Sequence, residues 1–376
     1  MIIACSTTSQ VPSDTANSIQ AVMACDGLRR CGQEICLFVP GEGEVPFSEI
    51  RDQYGLYCRP FQTNRLASRS GMHRIDFTLS VLAEARKVHA DVLYTWTIQT
   101  AAAAALGGLR SAYEIHDMPV GGGIHWFDLY TRTKTPKKIL CITRALRGKL
   151  LERFPHLRPE DCLIMPNGFS PEDYIALPEL AEAKRQMGFA AGRSAISCSG
   201  HLYKGRGSSL FMELAARFPE ADFHWFGGTS EAVRSCREEA ARAGLDNVVF
   251  HGTVPRKQLP LAQAACDFLL MPYAKKIAGS GGGNSAEICS PMKMFEYMAQ
   301  GRCILSSDLP VIHEVLDESC AVFCEPEDPG SWEEGLRSIL SDPAKQIRLA
   351  AEAKRRSYRY TWQKRAEIYL NGSPNV

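Results

Sequence analysis

A helix start that could bind a phosphate occurs late in the chain, at Ser290-Pro291-Met292-Lys293-Met294-Phe295-Glu296. Ser290 is a typical N-cap residue, and Pro291 suits the first helical position because no N–H donor is needed there. The exposed amides of a helix start favour an anion, and Lys293 adds a positive charge. Glu296 lies about one turn further on, where its carboxylate could accept hydrogen bonds from sugar or ribose hydroxyls. These groups suit a nucleotide sugar, whereas an ordinary helix start with a surface Lys–Glu pair is the alternative.

The composition indicates a globular protein of two domains. The chain has 376 residues, more than one typical core holds, and 45% of them are hydrophobic. A net charge of +1 gives no reason to expect nucleic acid as a partner. The 14 cysteines include no Cys-x-x-Cys pair, so we expect free buried thiols in a reducing cytosol and no metal site. We read neither a signal peptide nor a membrane span, and the predicted location is cytoplasmic.

Short β-rich runs alternate with helical patterns along the chain, which predicts βαβ units and parallel sheets. The rhythm breaks in a stretch from about Ser170 to Arg193 and then restarts. We therefore predict an α/β fold of two doubly wound Rossmann-like domains facing an interdomain cleft, since ligands of such sheets bind beyond the carboxyl ends of the strands. The predicted first domain comprises residues 1–170 and a returning helix in 358–376, and the second comprises 171–357. The predicted strands are Ile2–Ser6, Glu34–Val39, Val92–Trp96, Ala112–Ile115, Ile139–Thr143, Ala195–Ser199, Phe223–Phe226, Val248–Phe250, Phe268–Met271, Cys303–Ser306 and Ala321–Phe323.

Two motifs of the second predicted domain resemble those of a known enzyme family. One is Gly200-His201-Leu202-Tyr203-Lys204-Gly205-Arg206-Gly207, which follows the first strand, and the other is the Ser-Pro-x-Lys-x-x-Glu segment at 290–296. Both are similar to motifs of the GT-B glycosyltransferases of family 4, the glycosyl transferases group 1. Members of this family move a sugar from a nucleotide to an acceptor with retention at the anomeric carbon. The resemblance covers most of the chain.

The resemblance implies a donor site in the second domain. Arg206 falls on the family's lysine, where a cation stabilises the departing diphosphate, and Glu296 falls on the carboxylate that holds the ribose hydroxyls. His201 stands where the family usually has arginine, and Ile288 stands where its first carboxylate is expected, with Glu287 one residue out of register. The residues implied at the donor are Gly200, His201, Lys204, Gly227, Val254, Ser290, Pro291, Lys293 and Glu296.

In the first domain, Glu114-Ile115-His116-Asp117-Met118-Pro119 resembles the family's His-Asp element at a strand end. The resemblance implies that His116 lies near the reacting sugar and that Asp117 orients it or an acceptor hydroxyl. A structural hydrogen bond is the alternative for this pair. His116, Asp117 and Arg206 are the predicted catalytic residues. On the acceptor side, the resemblance implies a loop that includes Thr15, Ala16 and Asn17.

The implied activity is retaining transfer from a UDP- or GDP-linked sugar to an acceptor hydroxyl, in the synthesis of a glycan, glycolipid or polysaccharide. The nucleotide sugar is a substrate, and neither a cofactor nor a metal is expected, since no Asp-x-Asp occurs in a suitable loop. Two alternatives remain. One is a nucleotide-sugar epimerase of similar fold, and the other is a nucleotide-sugar-binding protein without catalysis.

Between Arg132 and Arg158, nine Lys or Arg residues accompany a single acid, Glu152. This basic segment has three interpretations: a solvated helix face, a docking patch for anionic lipid or a lipid-linked acceptor, or a nucleic-acid site. The second would place the protein at the inner face of a membrane. The balanced total charge argues against the third. The glycine-rich loop at 279–284 is either a flap over the donor or a plain surface loop.

Overall fold

The computed structural model describes residues 1–69, 72, 74–277 and 284–372. The chain divides into two compact units. The first unit contains Met1–Asn167 and the described residues from Thr361 onward, and the second contains the described residues between Gly168 and Tyr360. Each unit has its own largely parallel sheet with helices around it, which confirms the predicted fold class of two doubly wound α/β domains.

The first unit is built on an eight-stranded sheet. Its strands are β1 Ile2–Ser6, β2 Glu34–Pro40, β3 Gly43–Glu44, β4 Gln62–Leu66, β5 Val92–Thr95, β6 Ser111–Ile115, β7 Lys137–Cys141 and β8 Cys162–Ile164. Its helices before the chain enters the second unit are α1 Ala16–Arg30, α2 Phe47–Tyr54, α3 Ile75–Lys87, α4 Ile98–Leu106, α5 Gly122–Arg132 and α6 Arg144–Arg153. The strand order is β3-β4-β2-β1-β5-β6-β7-β8, and only β3 pairs in the antiparallel sense. The order therefore reverses direction at β1, as in a Rossmann sheet.

The second unit has a six-stranded sheet in which all pairs are parallel. Its strands are β9 Ser194–Ser199, β10 Ala221–Phe226, β11 Val248–Gly252, β12 Phe268–Met271, β13 Cys303–Ser307 and β14 Val322–Cys324. Its helices are α7 Leu180–Met187, α8 Ser208–Arg217, α9 Ser230–Arg242, α10 Leu259–Ala264, α11 Met292–Gln300, α12 Pro329–Leu340 and α13 Pro343–Ser357. The order β11-β10-β9-β12-β13-β14 again reverses at the first strand of the unit. The carboxyl ends of β9 and its neighbours are thus the expected ligand edge.

The last helix, α14 Trp362–Asn371, belongs to the first unit and packs on α1. The contact is close because Gly27 of α1 has no side chain. A Cβ atom at Gly27 would overlap the backbone carbonyl of Trp362. Two helix backbones can therefore lie against each other at this point.

Successive side chains of strand β10 point to opposite faces of the sheet, and the two faces differ in what they contact. Phe223 and Trp225 pack edge-on against Phe211 of α8, with ring centroids at 5.2 and 5.3 Å, inside the hydrophobic core. His224 and Phe226 point to the opposite face of the sheet and stack on His251 of β11. The core thus holds β10 in place up to the glycines that follow it.

Some element boundaries differ from the sequence predictions. Strands β3, β4 and β8 were not predicted, and β7 begins two residues earlier than expected. The prediction that Ser290 caps helix α11 was wrong. The helix begins at Met292, and Pro291 occupies the N-cap with an extended ψ of 129°. The proline ring fixes φ but allows this extended ψ, so Pro291 precedes the helix and does not start it.

No helix in the described ranges has both the length and the apolar character needed to cross a membrane. All fourteen cysteines are free thiols.

Candidate active site

Three strand ends of the second unit meet through their backbones. Gly200, which follows β9, donates its N–H to the carbonyl of Phe226 at 2.8 Å, and Gly227 donates to the carbonyl of Gly252 at 2.7 Å. Gly227 has a φ of +116°, and a Cβ atom there would lie 2.5 Å from the Gly200 oxygen. Only glycine fits such an approach. The structure thus brings the predicted donor residues Gly200 and Gly227 side by side.

The loop from Gly200 to Gly207 is held against the segment that follows β12. Arg206 donates its backbone N–H to the carbonyl of Tyr203 at 3.1 Å, which closes a turn. Gly207, with a φ of +88°, has no room for a Cβ because Pro272 lies directly against it. These contacts fix the backbone position of Arg206, from which its side chain extends.

Two cations meet over one aromatic ring. The guanidinium carbon of Arg206 lies 5.4 Å from the centre of the Tyr273 ring, and the Lys293 ammonium lies 5.0 Å from it. Lys293 Nζ is also 3.4 Å from the point that a Cβ on Gly200 would occupy. Arg206 further donates to the hydroxyl of Tyr203. The structure therefore brings together Arg206 and Lys293, which were predicted as site residues from two separate motifs. Tyr273 is a site residue that no motif in the sequence indicated.

The charge of this pair is not balanced by an acid in the described part of the chain. No carboxylate oxygen of the described residues lies within 4.0 Å of Arg206 or Lys293. The Nε atom of Arg206 is buried and lacks a hydrogen-bond partner there. Buried polar groups are normally satisfied, so this N–H points to a missing acceptor. An anion such as a phosphate would supply it.

The neighbouring titratable groups do not offset this charge. Burial raises the pKa of the Cys289 thiol to about 11, and burial also raises the pKa of Tyr273. Both groups are therefore neutral near pH 7. Partial desolvation of the ring, together with the charges of Arg206 and Lys293, lowers the pKa of His201, so its ring is also neutral at that pH. His201 thus adds no charge where the family usually has an arginine.

The remaining predicted donor residues lie on the loop after β9, after β11 and just before helix α11. His201 and Lys204 are exposed on the loop, and Val254 is half-buried after β11. Ser290 is buried just before Pro291 and helix α11.

Glu296 of α11 forms an ion pair with Arg256. The carboxylate Oε1 lies 3.4 Å from Arg256 Nη1, and the two side chains are 9% and 14% exposed. Arg256 belongs to a single 3₁₀ turn that follows β11. Its Nε atom is buried and has no hydrogen-bond partner among the described residues. The sequence analysis identified Glu296 but missed Arg256, whose only signal was its place two residues after Val254.

The position where the family's first carboxylate is expected and its neighbour differ in their surroundings. Ile288 is 2% exposed and belongs to the packed interior. Glu287 is exposed, and its Oε1 accepts a hydrogen bond from Asn284 Nδ2 at 3.1 Å. Asn284 also donates to the carbonyl of Lys275 at 2.9 Å. The predicted glycine-rich flap, apart from Asn284, lies outside the described residues.

In the first unit, His116 directly follows strand β6 and forms a hydrogen bond with Glu114 of that strand. Its Nε2 lies 2.8 Å from Glu114 Oε1. Glu114 is only 1% exposed and also accepts hydrogen bonds from Gln20, from the Tyr94 hydroxyl and from Arg365 Nη2, the last at 2.6 Å.

The electrostatics of Glu114 favour its charged form. Burial alone would raise the pKa of this carboxyl, but Arg365 and His116 outweigh burial and hold the pKa at about 2. His116 thus donates to an acceptor that is charged near pH 7 when its own proton is on Nε2. The other ring nitrogen, Nδ1, is then free of a proton and can accept one. Glu114 is the orienting acid here, and the sequence analysis had named only Asp117.

The other predicted residues of the first unit lie at loop ends. Asp117 accepts a hydrogen bond from the backbone N–H of Met118 at 2.8 Å. Thr15 caps helix α1 by accepting from the N–H of Ser18 at 3.3 Å, and Ala16 and Asn17 form the exposed first turn of that helix. The structure shows a capping role for Thr15.

Many cations of the basic segment 132–158 already have intramolecular partners. Arg132 pairs with Asp128 at 2.8 Å, and Arg158 pairs with Asp161 at 2.8 Å. Side chains that donate to backbone carbonyls include Lys137, Lys138, Arg147 and Arg153. These bonds favour the interpretation of a solvated, locally satisfied surface.

No group of three or more His, Cys, Asp or Glu side chains in the described ranges is arranged to hold a metal ion.

Part of the second unit is similar to a known family. Residues 193–342 match the family described as Glycosyl transferases group 1. A 2-deoxystreptamine N-acetyl-D-glucosaminyltransferase of Streptomyces fradiae is 29% identical over 241 residues, which is 62% of this chain. A D-inositol 3-phosphate glycosyltransferase of Xylanimonas cellulosilytica is 25% identical over 207 residues, or 54% of this chain. The match spans slightly less than half, 46%, of the length of both relatives.

Solved structures match both units of the chain. Sucrose-phosphate synthase from Thermosynechococcus elongatus superposes with a TM-score of 0.77 at 14% identity, over 98% of this chain and 97% of that one. The HepE protein of Anabaena, solved in complex with UDP, superposes with a TM-score of 0.76 at 15% identity, over 99% of each chain. These matches establish the fold. Residues 193–342 thus match the family of glycosyl transferases group 1, and the chain has the two-domain GT-B fold of these solved structures.

Proposed function

We propose that this protein is a retaining glycosyltransferase that transfers a sugar from a UDP- or GDP-linked donor to an acceptor hydroxyl without a metal ion. The observation that carries this proposal is the cation pair of Arg206 and Lys293. The pair has no carboxylate partner within 4.0 Å among the described residues, and a buried Arg206 N–H lacks an acceptor. The family of residues 193–342 and the UDP-bound relative of the same fold support a nucleotide sugar as the anion.

The chemistry of transfer requires positive charge at the leaving group. The bond between the anomeric carbon and the diphosphate oxygen breaks, and its electron pair stays on that oxygen. Arg206 and Lys293 stabilise this developing charge more than they stabilise the bound donor. The acceptor oxygen bonds to the anomeric carbon on the same face, and its proton passes to the departing phosphate oxygen. No carboxylate nucleophile is required.

Donor recognition uses the other groups of the second unit. The Glu296 carboxylate accepts hydrogen bonds from the ribose hydroxyls, while Arg256 balances its charge. The closely packed Gly200 and Gly227 lie at the strand ends, where ligands of such sheets bind. In the first unit, His116, held by Glu114, contacts the transferred sugar.

A donor panel tests the proposal directly. Purified protein is incubated with UDP- and GDP-linked glucose, galactose, N-acetylglucosamine and mannose in excess EDTA, with water as the acceptor. We expect one donor to release its nucleoside diphosphate. Proton NMR at early times should show the freed sugar with the anomeric configuration of the donor.

The controls separate the competing functions. Arg206→Ala should lower turnover by at least 100-fold, while Arg217→Ala, an exposed arginine of α8 that pairs with Glu333, should match the wild type. An isomerised nucleotide sugar would indicate an epimerase. Binding with neither release nor transfer would indicate a non-catalytic binding protein, and turnover that EDTA abolishes would contradict metal independence.

A further inference from the structure

The last helix of the chain reaches the acid that holds His116. Arg365 of α14 donates from Nη2 to Glu114 Oε1 at 2.6 Å, and the same oxygen lies 2.8 Å from His116 Nε2. Arg365 and Glu114 are 251 positions apart in the chain, and they are 4% and 1% exposed. One carboxylate oxygen thus connects the carboxyl-terminal helix to the histidine.

Arg365 is itself fixed by several partners. Its Nε donates to the carbonyl of Pro166 at 3.0 Å, and its Nη1 donates to the Tyr94 hydroxyl at 3.2 Å. The guanidinium carbon lies 5.8 Å from the centre of the Trp362 ring. A planar guanidinium with donors committed in three directions has one orientation. Arg365 is therefore a rigid support for Glu114.

The charge balance explains why this support matters for His116. A carboxylate as buried as Glu114 needs a cation beside it. Arg365 is always charged and meets this need. Without Arg365, this carboxylate would lose the cation that balances its charge and the donor that fixes its position beside His116. With Arg365 present, the ring of His116 can donate one N–H to Glu114 and keep Nδ1 as an acceptor.

We propose that Arg365 is a positioning residue that fixes the orientation and tautomer of His116 through Glu114. The role of His116 at the transferred sugar rests on the proposed function, whereas the Arg365–Glu114–His116 connection does not.

NMR of protein labelled with ¹⁵N-histidine tests the connection without any ligand. The His116 signals are assigned by their loss in His116→Gln. In the wild type we expect two-bond correlations of a single tautomer with the proton on Nε2. Arg365→Met should replace this pattern with a tautomer mixture or a doubly protonated ring, and Arg365→Lys should restore it in part. Arg51→Met, which removes an exposed arginine of the same unit, should leave the wild-type pattern intact.

Two outcomes would overturn the proposal. One is an Arg365→Met protein that keeps the wild-type His116 pattern. The other is an Arg365→Met protein that does not fold and is not rescued by adding Glu114→Gln, since removing the uncompensated charge should restore folding if Arg365 acts through Glu114.

Steady-state kinetics provide a second test of the positioning role of Arg365. With the donor identified by the panel, Arg365→Met should lower kcat at least tenfold and leave the donor KM within twofold, because the donor contacts lie in the second unit. An equal effect on KM would overturn the positioning role. If the wild type shows no turnover with any donor, the proposed function fails, and the NMR result alone decides the role of Arg365.

Discussion

The guanidinium carbon of Arg206 lies 5.4 Å from the centre of the buried Tyr273 ring. Lys293 lies over the same ring at 5.0 Å, so Tyr273 holds two like charges near each other, and no carboxylate of the described residues pairs with them. The π face of a tyrosine attracts cations, and each such contact contributes about 1 kcal/mol, or more when desolvated. Tyr273 therefore keeps the cations in place for an anion.

Replacement of Tyr273 by leucine should weaken the binding of a nucleoside diphosphate by about tenfold, because both cation–π contacts are lost. Tyr273→Phe is the matched control. It keeps the ring and removes a hydroxyl that is buried without a hydrogen-bond partner in the described residues, so affinity should stay within twofold. Calorimetric titration with UDP and GDP measures both. Equal losses in the two variants would contradict a role for the ring face.

Gly227→Ala should destabilise the second unit by about 2 kcal/mol or more. The new Cβ would lie 2.5 Å from the Gly200 carbonyl, and φ at this position is +116°. Gly192→Ala is the control, since a Cβ there meets open space. Thermal unfolding of the two variants should show a clear drop in Tm for Gly227→Ala only. A Tm equal to that of Gly192→Ala would show that the strand ends tolerate a side chain.

Glu296→Gln should weaken the binding of UDP or GDP by about tenfold, because charged hydrogen bonds to the ribose hydroxyls are lost and Arg256 is left with an uncharged partner. The sharper comparison uses the 2′,3′-dideoxy nucleotide. Its affinity should already be low for the wild type and should change little in Glu296→Gln. An equal loss for both nucleotides would mean that Glu296 acts through Arg256 and not through the ribose.

The histidine pair on β10 and β11 predicts a loss of stability in acid. Burial, together with His251 at 3.1 Å, lowers the pKa of His224 to about 4 from an ordinary value near 6.5. The unfolded chain therefore binds a proton at higher pH than the folded one. The stabilising effect is complete above about pH 6.5 and is lost as the pH falls towards 4, by about 3 kcal/mol.

Urea unfolding at pH 7 and pH 4.5 measures this effect in the wild type and in His224→Phe. The phenylalanine keeps the stacking on Phe189, where the ring centroids are 3.8 Å apart, but it cannot be protonated. The variant should lose clearly less stability between the two pH values. Identical acid losses would exclude His224 as the group responsible.

The sequence predicted the parts of this protein that depend on local pattern. The βαβ rhythm identified strands such as Phe268–Met271 because a buried parallel strand is a short apolar run. Strand β4, Gln62–Leu66, was missed because its residues are mostly polar, and β8 was missed because it has three residues. Glu296 and His116 were named because each lies in a short motif that resembles one of the family.

Partners distant in sequence could not be predicted. Arg365 lies 251 positions from Glu114 and carries no motif, so only the fold shows that it meets that acid. Arg256 lacks a motif in the same way, although it pairs with Glu296. Tyr273 is an ordinary aromatic residue after a strand until Arg206 and Lys293 are seen to lie over its ring. Such residues depend on the packing of the sheet, which one sequence does not encode as a local pattern.

Arg206 and Lys293 form the proposed diphosphate site, and calorimetric titration of the wild type and of Arg206→Ala measures whether they bind a diphosphate. The titrants are UDP and GDP, each compared with its nucleoside. The wild type should bind one diphosphate at least 100-fold more tightly than its nucleoside. In Arg206→Ala this ratio of affinities should fall at least tenfold. In Arg217→Ala the ratio should equal that of the wild type. A wild type that binds neither diphosphate more tightly than its nucleoside, or an Arg206→Ala variant that retains the full difference, would rule out a diphosphate site at these two cations.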